Sequence, residues 1–130
     1  MSKRKIAVVT GSRAEYGLLR WITQGINEDA DFVLQLFVTG SHLSSAFGMT
    51  VQEIEKDGLP ITARIPILEN IDTPLATVHA MANAVRGFGD VYANANPNIV
   101  VLLGDRFEIF AAAAAAVPLN IPIAHLHGGE

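Results

Sequence analysis

Short apolar runs rich in β-branched residues alternate with longer stretches of helical period along the whole chain, and this alternation limits most strongly what it can build. A first strand is expected over Ile6 to Thr10. It leads into a helix on which Leu18, Leu19, Ile22 and Ile26 recur at three-to-four spacing and which ends near Asn27. Phe32 to Thr39 reads as a second strand and Val51 to Lys56 as a short helix closed by Asp57-Gly58. Ile61 to Ile67 reads as a third strand in which Pro66 argues for an edge or a strand end. From Thr73 to about Ala95, the spacing of Leu75, Val78, Ala82, Val85, Gly89 and Tyr92 predicts one long amphipathic helix that covers the sheet or a partner subunit. Ile99 to Leu103 has the continuous apolar character of a strand buried on both faces. The next helix, Phe107 to Val117, contains six consecutive alanines and is small enough to pack tightly inside. A last strand is expected from Ile121 to about Leu126. Gly, Pro, Asn or Asp marks each switch. Strands and helices in this order make βαβ units, so the expected class is α/β, a parallel sheet with helices on both faces.

A chain of 130 residues, half of them hydrophobic, supports one sizeable core and about one domain, 1–130. No stretch approaches the roughly 20 apolar residues of a membrane span, and the basic start Lys3-Arg4-Lys5 leads into an apolar run too short for a secretory signal. The absence of cysteine removes disulfides, thiolate metal sites and cysteine nucleophiles, and fits a reducing compartment, with the cytoplasm as the expected location. The nine basic residues are scattered over a chain of net charge −4 without an aromatic-interleaved basic stripe, which argues against nucleic acid and for a small-molecule partner.

Ligands of open parallel sheets bind outside the carboxyl ends of the strands, so the residues just after each strand carry the functional expectations. The first such cluster is Gly11-Ser12-Arg13-Ala14-Glu15-Tyr16-Gly17. Its glycine turn delivers a helix N-terminus suited to an anion, with Arg13 as a bidentate fork; alternatively Ser12 simply caps the helix and Arg13 is solvated. The second is Gly104-Asp105-Arg106-Phe107-Glu108. Here Asp105 is either a desolvated general acid or base or the N-cap of the alanine-rich helix, with Glu108 completing a capping-box-like turn. The third is His125-Leu126-His127-Gly128-Gly129-Glu130. Residues two apart on a strand share a face, so His125 and His127 point together, into a site or as two of three metal ligands with Asp105, or one of them is a structural strand-end histidine.

Taken in order with Val38-Thr39-Gly40-Ser41-His42-Leu43 and Phe47-Gly48-Met49-Thr50, these segments resemble the hydrolysing UDP-N-acetylglucosamine 2-epimerases of sialic-acid-type biosynthesis. The resemblance implies a glycosyltransferase-B-like architecture of two Rossmann-like halves, this chain being the first and the UDP-gripping second half lying elsewhere. It implies elimination of UDP across C1 and C2 to a glycal, then water addition to give N-acetylmannosamine and UDP, with no cofactor and no metal. Asp105 matches the family's catalytic aspartate. Arg13, with Ser12, matches the turn that approaches the diphosphate, and Arg106 and His125 fall in matching substrate-side segments. His42 is implied as a sugar-side contact. Where several relatives carry a catalytic glutamate two residues after the first histidine, this chain has His127, so His127 or Glu130 is implied as the second proton-handling group. Legionaminic-acid-branch relatives acting on UDP-2,4-diacetamido-2,4,6-trideoxyhexose share the pattern and give an alternative substrate. A nucleotide-sugar-binding module and a small metal-dependent hydrolase using Asp105, His125 and His127 are the readings from other classes. A homo-oligomer through the Thr73 to Ala95 helix is also expected.

Overall fold

The computed structural model describes residues 3–43, 50–67 and 72–127. Five parallel strands form one sheet in the order β3-β2-β1-β4-β5. They are β1 (Arg4–Thr10), β2 (Phe32–Thr39), β3 (Ile61–Ile65), β4 (Ile99–Leu103) and β5 (Ile123–Leu126). Among the described residues four helices connect them: α1 (Arg13–Glu28), α2 (Val51–Lys56), α3 (Pro74–Ala95) and α4 (Phe107–Ala116), with a 3-10 turn at Gly40–Leu43 after β2. β3 is an edge strand and stops immediately before Pro66, where a missing N–H costs the sheet nothing.

The two-residue repeat of β1 sends Ala7 and Val9 to one face and Val8 to the other, and each face has its own core. Tyr16 and Leu19 of α1 and Val51 and Ile54 of α2 pack on Val8, Leu36, Val38 and Leu103. On the opposite face, α3 and α4 cover Ala7, Val9, Phe37, Val100 and Leu102. The expected α/β sheet with helices on both faces is therefore the observed one. The centre of the second core is aromatic: Tyr92 lies 6.0 Å from Phe37 and 5.8 Å from Phe88 between ring centroids. Such pairs add about 0.5–1.5 kcal/mol each beyond the burial of their area. The buried Tyr92 hydroxyl donates to the Ala112 carbonyl at 2.9 Å, tying α3 to α4.

Local chemistry sets the helix ends. The Thr73 hydroxyl accepts the Ala76 N–H at 3.0 Å with Pro74 in the first turn, and Asn96 closes α3 with a left-handed φ of 50°. The buried row of α3 is Ala80, Ala84, Phe88 and Tyr92; of the expected stripe, Tyr92 is buried and Val85 and Gly89 are half-buried, while Leu75, Val78 and Ala82 face outward. Leu75 and Val78 are exposed instead, because alanines of α3 and α4 let the helices approach closely and draw a different edge of α3 inward. In α4, Ala111, Ala112, Ala115 and Ala116 are buried, as the alanine run implied. The last strand begins at Ile123 rather than Ile121, past Pro122.

Candidate active site at the switch between β1 and β4

After β1 the chain crosses through α1 to β2, and after β3 it crosses on the other face through α3 to β4, so the strand order reverses between β1 and β4. At such a switch the connections leave for opposite faces of the sheet, and ligands of α/β sheets bind in the crevice outside the carboxyl ends of the strands. One wall is the turn Thr10 to Arg13. The other is Gly104 to Arg106, flanked by the end of β5.

Ser12 caps α1: its backbone is extended and its hydroxyl accepts the Glu15 N–H at 3.3 Å. Arg13, one residue on, has a side chain 73% exposed and pairs with Glu53 of α2 at 3.0 Å. A pair this open contributes about 0.2–1 kcal/mol, little enough for an anionic ligand to displace. Gly40, at φ 63°, lies so close that a Cβ there would stand 2.5 Å from the Gly11 carbonyl oxygen, so the turns after β1 and β2 are in backbone contact.

His42 departs from the expected sugar-side contact. It has no exposed surface, and each ring nitrogen lies 2.9 Å from a threonine hydroxyl, Nε2 from Thr10 and Nδ1 from Thr50. Burial pushes its pKa down to about 4, so it is a neutral strut holding the ends of β1 and β2 to the start of α2.

On the opposite wall, Asp105 stands exposed, not desolvated, and it does not cap α4. Arg106 occupies the cap position without a side-chain cap bond. The expected capping box fails because Glu108 turns inward: fully buried, its Oε1 accepts the Arg106 Nε–H at 2.6 Å. Gly104 takes φ 84°, a conformation that favours glycine, and His125 donates from Nε2 to its carbonyl at 2.6 Å. That bond fixes the His125 tautomer and braces the backbone directly before Asp105. β5 ends at Leu126, and His127 follows with a left-handed φ of 56°, so the strand repeat that would have aligned His125 with His127 no longer applies. Among the described residues no group of three metal-ligating side chains assembles, so the alternative metal set of Asp105, His125 and His127 is not formed there. Glu130, Gly128, Gly129 and the Phe47-Gly48-Met49 segment lie outside the described residues.

Sequence reasoning missed the link between the two walls. Glu15, nearly buried, accepts the Gly11 N–H at 2.8 Å, and a Cβ on Gly11 would lie 2.9 Å from Glu108 Oε1 and 3.2 Å from Glu15 Oε1. Two carboxyl groups thus crowd one glycine beneath the crevice. Burial raises the Glu15 pKa, and the Glu108 charge raises it further against the opposing pull of the Gly11 N–H and Arg106. The Arg106 pKa is raised by its bond to Glu108. A signal was available in Phe107-Glu108-Ile109-Phe110, since an acid set among apolar residues at a helix start needs a buried partner.

Known proteins resemble this chain in sequence and in fold. The hydrolysing GDP/UDP-N,N'-diacetylbacillosamine 2-epimerase of Campylobacter jejuni is 44% identical over all of this chain and 34% of its own length. The hydrolysing UDP-N,N'-diacetylbacillosamine 2-epimerase of Legionella pneumophila is 45% identical over 98% of this chain and 34% of its length. The chain therefore spans about a third of the length of the curated relatives it matches. A crystal structure of a UDP-N-acetylglucosamine 2-epimerase superposes on 99% of the chain with a TM-score of 0.85 at 21% identity, which speaks to the fold. The profile of one family, described as UDP-N-acetylglucosamine 2-epimerase, matches residues 24–130, most of the sheet and the second wall of the crevice. With both relatives aligned over the first wall as well, the chain belongs to the UDP-N-acetylglucosamine 2-epimerase family.

Proposed function

We propose that this chain is the N-terminal Rossmann-like domain, 1–130, of a hydrolysing UDP-sugar 2-epimerase whose substrate is UDP-N,N'-diacetylbacillosamine, a UDP-2,4-diacetamido-2,4,6-trideoxyhexose. The observation that carries this reading is the identity of 44% and 45%, across nearly the whole chain, to two proteins bearing that activity in their names. It favours the diacetamido sugar over UDP-N-acetylglucosamine, the substrate expected first. The remainder of a longer chain supplies the UDP-gripping half, and the active site lies between the two.

In this reading a base removes the C2 proton, the C2 electrons form the C1–C2 double bond, and the C1–O bond breaks with its electrons leaving on UDP. Water then adds its oxygen to C1 and a proton returns to C2 on the opposite face, leaving the 2-epimeric free sugar and UDP. Asp105 does acid/base work at C2, braced through Gly104 by His125. His127 or Glu130 is the second proton-handling group. Arg106, and Arg13 once it leaves Glu53, hold the diphosphate with the capped N-terminus of α1. Copies of the protein assemble through α3, whose exposed Leu75 and Val78 support that reading; light scattering on the Leu75→Glu variant, expected to be smaller than the parent, tests it.

The deciding experiment incubates the full-length natural chain in deuterated water with UDP-N,N'-diacetylbacillosamine and, separately, with UDP-N-acetylglucosamine. UDP release with deuterium at C2 for the diacetamido sugar is expected. Turnover of UDP-N-acetylglucosamine alone would overturn the substrate, and no release from either would overturn the reaction.

A further inference from the structure

The acid beneath the crevice is more than a helix end needs. Glu108 sits in the first turn of α4 with no exposed surface, and only one of its oxygens is engaged: Oε1 with Arg106, while Oε2 is buried without a hydrogen-bond partner among the described residues. A buried carboxylate is costly unless a charge meets it, and the Arg106 guanidinium meets it edge-on through Nε. The remainder of Arg106 reaches outward, its side chain 55% exposed, with the Glu15 carboxyl as a second, through-space attraction on the guanidinium. Across from it stands the turn after β1, fixed by Glu15 through the Gly11 N–H. The lack of a side chain on Gly11 is what lets Glu108 fit there.

We propose that Glu108 is a positioning residue: it clamps the Nε edge of Arg106 from below, so that the two terminal amino groups stand at the mouth of the crevice as a preset fork for the substrate diphosphate. A planar guanidinium held by one edge keeps its opposite edge aimed, whereas an unclamped arginine first loses side-chain freedom on binding. Glu108 touches no substrate and acts through Arg106. The proposal rests on the epimerase reading above.

The test uses the full-length chain, with UDP as the probe of affinity and turnover of the UDP-sugar alongside. Glu108→Gln retains the shape and an acceptor but removes the charge. It is expected to weaken UDP binding about tenfold, as for loss of a charge-assisted bond, and to raise KM more than it lowers kcat. In an Arg106→Ala background the same change is expected to cost less than about twofold, since there is nothing left to position. Full multiplication of the two losses, or unchanged UDP affinity in Glu108→Gln, overturns the proposal. Arg106→Lys tests it with Glu108 intact: a lysine has the charge but no Nε edge, so UDP binding is expected to fall nearly as far as in Arg106→Ala, and near-parental affinity overturns the clamp. Parental protein that neither binds UDP nor releases it sinks the epimerase reading itself, an outcome distinct from additive losses in a protein that does.

Discussion

Two of the buried titratable side chains at the crevice, His42 and Glu15, impose opposite pH dependences on stability. His42 has its pKa pushed down to about 4 by burial, against an unfolded value of 6.5. Its contribution is complete above about pH 6.5 and is lost as pH falls toward 4, because only the unfolded chain then takes the proton readily; the full swing is up to about 3 kcal/mol. Glu15 has a raised folded pKa, from burial first and the Glu108 charge next. Its contribution is present below its unfolded value of 4.5 and is lost as pH rises through the folded value. Denaturant unfolding measured from pH 4.5 to 7.5 is therefore expected to show a rising slope that flattens or reverses in His42→Gln and steepens in Glu15→Gln. Identical slopes in all three proteins would show that neither group differs between folded and unfolded states. Asp105 is exposed and lies outside both cores. Asp105→Asn is expected to shift stability by no more than about 0.5 kcal/mol while cutting turnover of the full-length enzyme by at least about a hundredfold. A large fall in Tm with near-normal kcat would remove Asp105 from the chemistry. These placements were unequally legible. Asp105 and Arg106 announce themselves by following an apolar strand, but Glu15 and Glu108 are far apart in the chain and meet only because parallel strands bring the turns after β1 and β4 side by side.

At the scale of elements, small residues decide which faces meet. Strands β2 and β4 were readable to the residue, because a buried parallel strand is a largely apolar run bounded by turn formers, unbroken in β4 and interrupted only by Gln35 before the final Thr39 in β2. The orientation of α3 was not, since alanine adds little to a hydrophobic pattern yet permits the closest approach, and the larger Leu75 and Val78 suggested another face. The same geometry leaves the α3–α4 interface no room for added volume. Ala112 is fully buried, and its carbonyl accepts the Tyr92 hydroxyl. Ala112→Leu is expected to destabilise by about 1–3 kcal/mol or more through overpacking, seen as a lower denaturation midpoint with the slope unchanged. The exposed Val117→Ala just past α4 is its control, expected to change stability by less than about 0.5 kcal/mol. Equal effects from the two substitutions would mean that α3 and α4 are not in the close contact described.

At the scale of the molecule, the proposed reaction asks for more than this sheet edge offers. Arg13, Asp105, Arg106, His125 and His127 all lie exposed along the carboxyl edge of a single sheet, open to water. Hydrated charges stabilise a developing negative charge weakly, and a glycal formed in the open has no barrier against solvent; such chemistry needs preorganised groups in a water-excluded space. One five-stranded sheet with its crevice facing outward does not supply that enclosure. The chain, however, buries a hydrophobic core on each face of its sheet. Folding and catalysis are thus expected to separate. Residues 1–130 alone should unfold cooperatively in denaturant, yet release UDP from UDP-N,N'-diacetylbacillosamine at least about a thousandfold more slowly than the full-length chain, a margin of about 4 kcal/mol in transition-state stabilisation. Adding the remaining segment as a separate polypeptide should restore part of the rate in proportion to its concentration. Turnover by residues 1–130 within tenfold of the full-length value would show instead that the exposed edge is a complete active site and that the missing wall serves only to hold UDP.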